Sequence, residues 1–316
     1  MREGVGVVIP CHTEKRWSQL SAAVASVLAQ RPRPAEVVVV VDHNEALYER
    51  ASRVLSGVTV LRNRYEQRGV SGTRNTGAFH LDTEVIALLD DDAYAQPGWL
   101  AALTAPFDDP AVCGTGGAIQ PAWETDRPRW VPDEFLWAWG GSYTGMPATT
   151  ARVRNVWSAS MAVRRDVFAK VGGFRVGFGK VGDRSRPEDT DLCLRMSESG
   201  GHWVYAPDAL IDHPVPADKA TFGYFLTRCY HEGRGKVELA RLNHGRKSLG
   251  SETRYLRRTL PAGVRRGLGD AVRGRGIAGA VRAGTIVVGA AAAAYGGLVE
   301  SLRRRRPTPE PAEVIA

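Results

Sequence analysis

The chain has 316 residues, 43% of them hydrophobic, which is enough to bury one large α/β core or two small ones and argues against disorder throughout. Its formal charge of +8 is uneven: residues 241–306 hold 15 Lys/Arg against Glu252, Asp270 and Glu300, a local +12 that leaves about −4 for the rest. The basic character therefore belongs to a tail, and the four scattered cysteines (Cys11, Cys113, Cys193, Cys229), with no C-x-x-C pair, argue against a zinc site or a disulfide framework.

Met1-Arg2-Glu3-Gly4 leads directly into the strand-like Val5-Gly6-Val7-Val8-Ile9 with nothing resembling a signal peptide before it, so the N-terminal part is expected in the cytoplasm. Short β-branched runs then alternate with amphipathic stretches: 17–29, 36–41, 45–55, 58–61, 70–81 and 84–89. That alternation predicts βαβ units and an α/β fold, a Rossmann-like, mostly parallel sheet flanked by helices. The run Val37-Val38-Val39-Val40-Val41 has no polar alternation, as expected for a strand covered on both faces. Such a sheet binds its ligands at the carboxyl ends of its strands. There the polar residues fall: Pro10-Cys11-His12, Asp42-His43-Asn44 and Asp90-Asp91-Asp92.

Residues 121–151 are rich in Trp, Pro and Gly and show no sustained period, so they read as a long excursion from the sheet. Trp137 and Trp139, behind Asp133-Glu134, are expected either to offer flat faces to an acceptor sugar or to form a small satellite core. The block 155–213 returns to regular structure and carries Glu188, Asp189 and Asp191 at a helix start. Residues 1–215 are expected to form the sheet domain and 216–316 a helical, Arg-rich tail whose composition turns to Arg, Gly and Ala after about 240. Residues 283–299 hold no charge over 17 positions, the lower limit for crossing a bilayer, and are bounded by Arg282 and the cluster Arg303-Arg304-Arg305-Arg306. Ala and Gly supply little transfer energy, so a segment lying on an anionic membrane surface is expected, with spanning and a solvated tail as the alternatives.

The triplet Asp90-Asp91-Asp92 directly follows the apolar 85–89, so at least two carboxylates are aimed from one strand end. Hard cations such as Mg²⁺ and Mn²⁺ take oxygen ligands and share them with substrate phosphates, so the triplet could join a metal to a diphosphate; a solvated turn capping a helix is the plainer reading. In Pro187-Glu188-Asp189-Thr190-Asp191-Leu192, proline suits a first helical turn and the acids suit its positive dipole end. The same carboxylates, held on a rigid helix start, could serve as a general base toward a hydroxyl.

Taken in order, Ile9-Pro10-Cys11, Val41-Asp42, Gly69-Val70-Ser71-Gly72-Thr73-Arg74-Asn75, Leu89-Asp90-Asp91-Asp92, Gly172-Gly173-Phe174 and Glu188-Asp189-Thr190-Asp191-Leu192 resemble family 2 of the GT-A glycosyltransferases over about residues 5–215. The resemblance implies an inverting, metal-dependent transfer of sugar from a nucleotide-diphosphate donor to a hydroxyl. It implies that Asp42 contacts the base and Pro10 lines its pocket, that Arg74 lies on the donor side, and that Asp90 reaches ribose or metal. Asp92 would be the direct ligand of Mn²⁺ or Mg²⁺, with Asp91 between them and His213 as a further ligand. Asp189 would be the catalytic base, with Glu188 and Asp191 orienting it or touching the acceptor. Two places depart from the common pattern: Asp42-His43-Asn44-Glu45 stands where Asp-Asp-Gly-Ser is frequent, and Ser158-Ala159-Ser160-Met161 where Gly-x-Asn is frequent. These leave nucleotide and donor sugar unassigned. A basic tail at the inner face of the cell membrane suggests a lipid-linked acceptor or a growing surface glycan.

Three rivals are weighed against this reading. A nicotinamide dehydrogenase would need G-x-G-x-x-G after the first strand, where this chain has Pro10-Cys11-His12-Thr13-Glu14. A nucleotidyltransferase of related fold would show a Gly- and Arg-rich phosphate loop there, which is also missing. A nucleic-acid-binding protein using the basic tail would leave the ordered acidic motifs without a purpose.

Overall fold

The computed structural model describes residues 2–181, 184–242, 253–273 and 277–303; Arg304, Arg305 and Arg306 of the basic cluster lie outside the described residues. The chain divides into two compact units, one formed by Met1–Ile119 with Pro147–Asp212 and one by Gln120–Met146 with His213–Pro307.

Along the chain run β1 (Arg2–Cys11), α1 (Trp17–Leu28), β2 (Glu36–Val41), α2 (Glu45–Val54), β3 (Thr59–Arg62), α3 (Val70–His80), β4 (Thr83–Leu89), β5 (Tyr94–Ala95), α4 (Trp99–Thr104) and β6 (Val112–Trp123). There follow β7 (Ala151–Val153), β8 (Ser160–Arg164), α5 (Arg165–Lys170), β9 (Gly179–Val181), β10 (Arg184–Arg186), α6 (Glu188–Glu198), β11 (His202–Val215), α7 (Phe222–Leu242), α8 (Leu260–Val272) and α9 (Ala278–Leu302). The main sheet has the order β3-β2-β1-β4-β8-β6-β11-β5. Its first four strands pair in parallel, as the alternation predicts, and β8 then runs antiparallel to both β4 and β6. The expected helices α1, α2 and α3 each end within one residue of the bounds read from periodicity.

The valine run behaves as a strand buried on both sides. Val37, Val39 and Val41 join a core with α1, while Val38 and Val40 join the opposite core beneath α3. Each such side chain contributes roughly 1.5–3 kcal/mol by leaving water. Helix α3 lies close on the sheet because Gly77 has no side chain; a Cβ there would meet Val40 Cγ2 at 3.0 Å and strike Val8. That approach fixes the depth of the preceding turn of α3.

In the second unit, Val131, Phe135, Trp139, Phe225, Leu260 and Ile286 form one core. The basic C-terminal region is therefore not only a tail: α8 and α9 supply part of this core. Helices α7 and α9 pack backbone to backbone, since a Cβ on Gly233 would collide with the carbonyl of Ala293, and one on Gly296 with that of Tyr230. Helix α9 has 25 residues and a mean hydropathy of 1.5 over an 18-residue stretch, long and apolar enough to cross a membrane by length and composition. Its exposed positions include Val281, Val287, Val288, Tyr295, Leu298 and Leu302.

Candidate active site

Strand β4 ends at Leu89 and delivers Asp90, Asp91 and Asp92 to the carboxyl edge of the sheet. Arg74 reaches the same edge from the second turn of α3, with its side chain 3% exposed. Its Nη2 donates to Asp90 Oδ1 at 2.7 Å and its Nη1 to Glu188 Oε1 at 3.3 Å. One buried guanidinium thus joins the end of β4 to the start of α6. Asp189 also acts electrostatically on Arg74, so the two acidic motifs, separated by about a hundred residues, share a single cation.

The start of α3 is also tied to the second strand. Asp42 accepts from the backbone N–H of Gly69 at 2.9 Å and from Asn63 Nδ2 at 2.7 Å, so its carboxylate binds the ends of β2 and β3 to the loop opening α3. Gly69 there has φ +143°, in the region that favours glycine. Pro10 is buried in β1 opposite Val40.

Arg16, at the close of the short 3-10 turn Glu14–Arg16, had no place in the sequence reading. Its Nη1 lies 2.9 Å from Asp91 Oδ1 and 3.0 Å from Asp92 Oδ2, bridging the second and third carboxylates of the triplet. In Glu14-Lys15-Arg16 it reads as ordinary solvated charge; only the turn after β1 aims it inward. Burial, followed by the charge of Asp92, pushes the Asp91 carboxyl up to about 7, with Arg16 opposing the rise. Burial and then the neighbouring Asp189 also push the Glu188 carboxyl upward, against the pull of Arg74.

At the head of α6, Asp189 Oδ1 accepts the backbone N–H of Thr190 at 2.8 Å. Asp191 points the other way: 1% exposed, it pairs with Arg195 at 2.8 Å and Arg175 at 3.2 Å. It orients the helix and has no surface to offer an acceptor. Ser160, the residue shorter than the frequent Asn, accepts the indole N–H of Trp99 at 2.9 Å and is buried.

Trp137, Trp139 and His213 fall in the second unit. Trp139 is 3% exposed, stacks on Phe225 with ring centroids 5.8 Å apart and donates to the carbonyl of Lys219. Trp139 therefore lies in the satellite core, the second of its two expectations. Trp137 is half-buried and donates to the Tyr255 hydroxyl at 2.9 Å. His213 lies against Gly140, where a Cβ would approach its Cε1 to 3.7 Å.

A hard divalent cation fits the donor set of the triplet. Asp90, Asp91 and Asp92 offer only oxygen, and Asp91 Oδ2 is buried with no hydrogen-bond partner. Among the described residues no group of three or more His, Cys, Asp or Glu side chains could enclose an ion unaided. Two carboxylates completed by substrate phosphate oxygens and water is the usual arrangement for Mg²⁺.

Comparison with known proteins agrees with this geometry. The model of glycosyl transferase family 2 matches residues 6–172. The glucosyl-dolichyl phosphate glucuronosyltransferase of Haloferax volcanii is 32% identical over 237 residues, covering 73% of this chain and 76% of that protein. The succinoglycan biosynthesis protein ExoM of Rhizobium meliloti is 25% identical over 242 residues, covering 73% and 74%. Among solved structures, the mannosyltransferase PcManGT from Pyrobaculum calidifontis, in complex with GDP-Man and Mn²⁺, superposes with a TM-score of 0.59 at 19% identity over 93% of this chain and 86% of that one. GalNAc-T7 with UDP, GalNAc and Mn²⁺ gives 0.52 at 20% identity over 75% of this chain, which spans about half (51%) of that one. With the parallel sheet, the carboxylate edge and these likenesses together, the chain belongs to glycosyl transferase family 2 and is an enzyme of that class with the GT-A fold.

Proposed function

We propose that this enzyme is an inverting, metal-dependent glycosyltransferase that moves a sugar from a nucleotide diphosphate to a hydroxyl of a lipid-linked acceptor at the inner face of the cell membrane. The observation that carries this reading is the Arg74 bridge between Asp90 and Glu188, because it brings the donor-side edge and the acidic start of α6 into one site. In the proposed reaction the acceptor oxygen forms a bond to the anomeric carbon as the bond from that carbon to the diphosphate oxygen breaks. The electron pair leaves with the diphosphate, and the hydroxyl proton passes to Asp189. Glu188 and Arg74 hold Asp189 in place; Asp42 and Pro10 bound the nucleotide pocket. Asp92 and Asp90 would hold Mn²⁺ or Mg²⁺, which when bound offsets the charge gained by the leaving group.

The acceptor class is supported by the Haloferax relative, whose own substrate is a dolichyl phosphate carrying glucose. Membrane association is supported by the uncharged exposed positions of α9. Replacing Val281, Val288 and Tyr295 together by serine leaves the core of the second unit intact and should move the protein from membrane to soluble fractions; unchanged fractionation would discard a membrane role for this face.

The test of the chemistry is Asp92→Asn. Removing one electrostatic stabiliser of the leaving group should lower Mn²⁺-dependent transfer or donor hydrolysis by about a hundredfold or more. Metal-dependent activity at the wild-type level in the folded variant counts decisively against the assignment.

A further inference from the structure

Arg16 and a divalent cation claim the same two carboxylates. Arg16 Nη1 lies 2.9 Å from Asp91 Oδ1 and 3.0 Å from Asp92 Oδ2, and Asp92 is the side chain expected to ligate metal most directly. A dication held on either oxygen would stand close to the guanidinium, where the two positive charges repel. The dication carries the larger charge and would neutralise both carboxylates together. Asp91 Oδ2, buried and without a hydrogen-bond partner, leaves further oxygen capacity at the same side chain.

Of the two arginines that reach this edge, Arg74 is held at both Nη atoms, by Asp90 and Glu188, with its side chain 3% exposed. Arg16 is 33% exposed and is free to turn. Its backbone is fixed independently: in the 3-10 turn that carries it, Thr13 accepts the backbone N–H of Lys15 through Oγ1 at 3.3 Å and that of Arg16 through its carbonyl at 3.4 Å. The side chain can therefore swing while the turn stays. Both of its contacts to the triplet use Nη1 alone, so the guanidinium edge formed by Nε and Nη2 is not spent on the carboxylates. That planar edge matches two phosphate oxygens.

We infer that Arg16 has two successive tasks: it neutralises Asp91 and Asp92 until a divalent cation binds, and it then turns its guanidinium to the diphosphate of the sugar donor. This rests on the metal-dependent reading of the same site. Arg16 makes and breaks no covalent bond; it holds negative charge on the diphosphate as that group departs. By linkage, Arg16 should weaken binding of the cation alone and strengthen binding of diphosphate once the cation is in place. An arginine that only supports the fold would not move the two affinities in opposite directions.

The experiment is calorimetry on the full chain with Mn²⁺ alone, then with UDP and GDP in saturating Mn²⁺, with uridine and guanosine as controls. It compares the wild type, Arg16→Gln and Arg16→Lys. Arg16→Gln should bind Mn²⁺ about tenfold more tightly than the wild type. It should bind the preferred nucleoside diphosphate about tenfold more weakly, with nucleoside affinity unchanged. Arg16→Lys keeps the charge without the planar fork, so Mn²⁺ affinity should stay at the wild-type level while diphosphate affinity falls. Should Arg16→Gln fail to fold, Arg16→Lys still decides: unchanged diphosphate affinity overturns the second task. Mn²⁺ binding that is weaker or unchanged in folded Arg16→Gln overturns the first, and an equal loss of nucleoside affinity makes the effect one on the fold and overturns both. No Mn²⁺ binding by the wild type, with or without nucleotide, sinks the metal-dependent reading and the role of Arg16 together. Mn²⁺-dependent nucleotide binding that neither variant alters sinks the role of Arg16 and leaves the metal-dependent reading standing.

Discussion

Asp91 gives the sharpest test of the electrostatics at the carboxylate edge. Its carboxyl titrates at about 7 rather than 3.8, chiefly because it is buried, so the folded chain holds a proton there that the unfolded chain has released. A carboxyl raised in the folded state contributes stability at low pH that is lost as pH rises from about 4 to about 7, and the loss levels off above. Three pH units correspond to roughly 4 kcal/mol, and Asp91→Asn removes that slope. Asn keeps the shape and a carbonyl for Arg16, while Asp92 retains its own pairing with Arg16. The variant should therefore match the wild type near pH 4 and exceed it by roughly 2–4 kcal/mol at pH 8. Urea unfolding at both pH values, in EDTA so that no cation occupies the triplet, measures the difference. A difference that is the same at both pH values, or a variant less stable than the wild type at pH 8, would refute the reasoning.

Arg74→Met leaves Asp90 and Glu188 without their shared cation and should destabilise by about 3–5 kcal/mol in the same unfolding experiment, since breaking a buried pair strands the remaining charge. The loss should shrink toward pH 5 as Glu188 takes up a proton; a loss independent of pH would separate Glu188 from Arg74. Asp189→Asn should keep nucleotide-diphosphate affinity by calorimetry while lowering transfer by roughly 10²–10⁴; lost donor affinity would reassign the residue to donor binding.

The parallel half of the sheet was legible because its strands are covered on both faces and its helices on one, so period and β-branching carry the signal. Val37 to Val41 illustrate this: no alternation in sequence, and two separate cores drawing on alternate valines in the structure. The acidic motifs were legible because they stand at element ends, where a carboxylate has a defined direction. The second unit was less so. Its helix contacts are made by glycines such as Gly233 and Gly296, which leave no hydrophobic stripe to count, and its core is an aromatic cluster gathered from distant segments. Composition therefore showed a basic helical tail without showing which of its residues pack into a core.

What sequence could not supply is the placement of the cations. A carboxylate triplet at a strand end cannot stay ionised and buried unless positive charge comes to it, and the chain brings that charge from two unrelated places. Arg74 comes from the second turn of α3, held at depth by the close approach at Gly77, and reaches Asp90 and Glu188. Arg16 comes from a 3-10 turn and reaches Asp91 and Asp92. The two differ in burial, 3% against 33% exposed, so they differ in what they can do. Arg74 is locked between two elements and fixes their separation, whereas Arg16 stands at the open side of the triplet, where a bound divalent cation would take over its task of neutralising Asp92. The depth of each arginine, more than the number of aspartates, therefore divides the edge into a part that holds the fold and a part that can yield to a ligand.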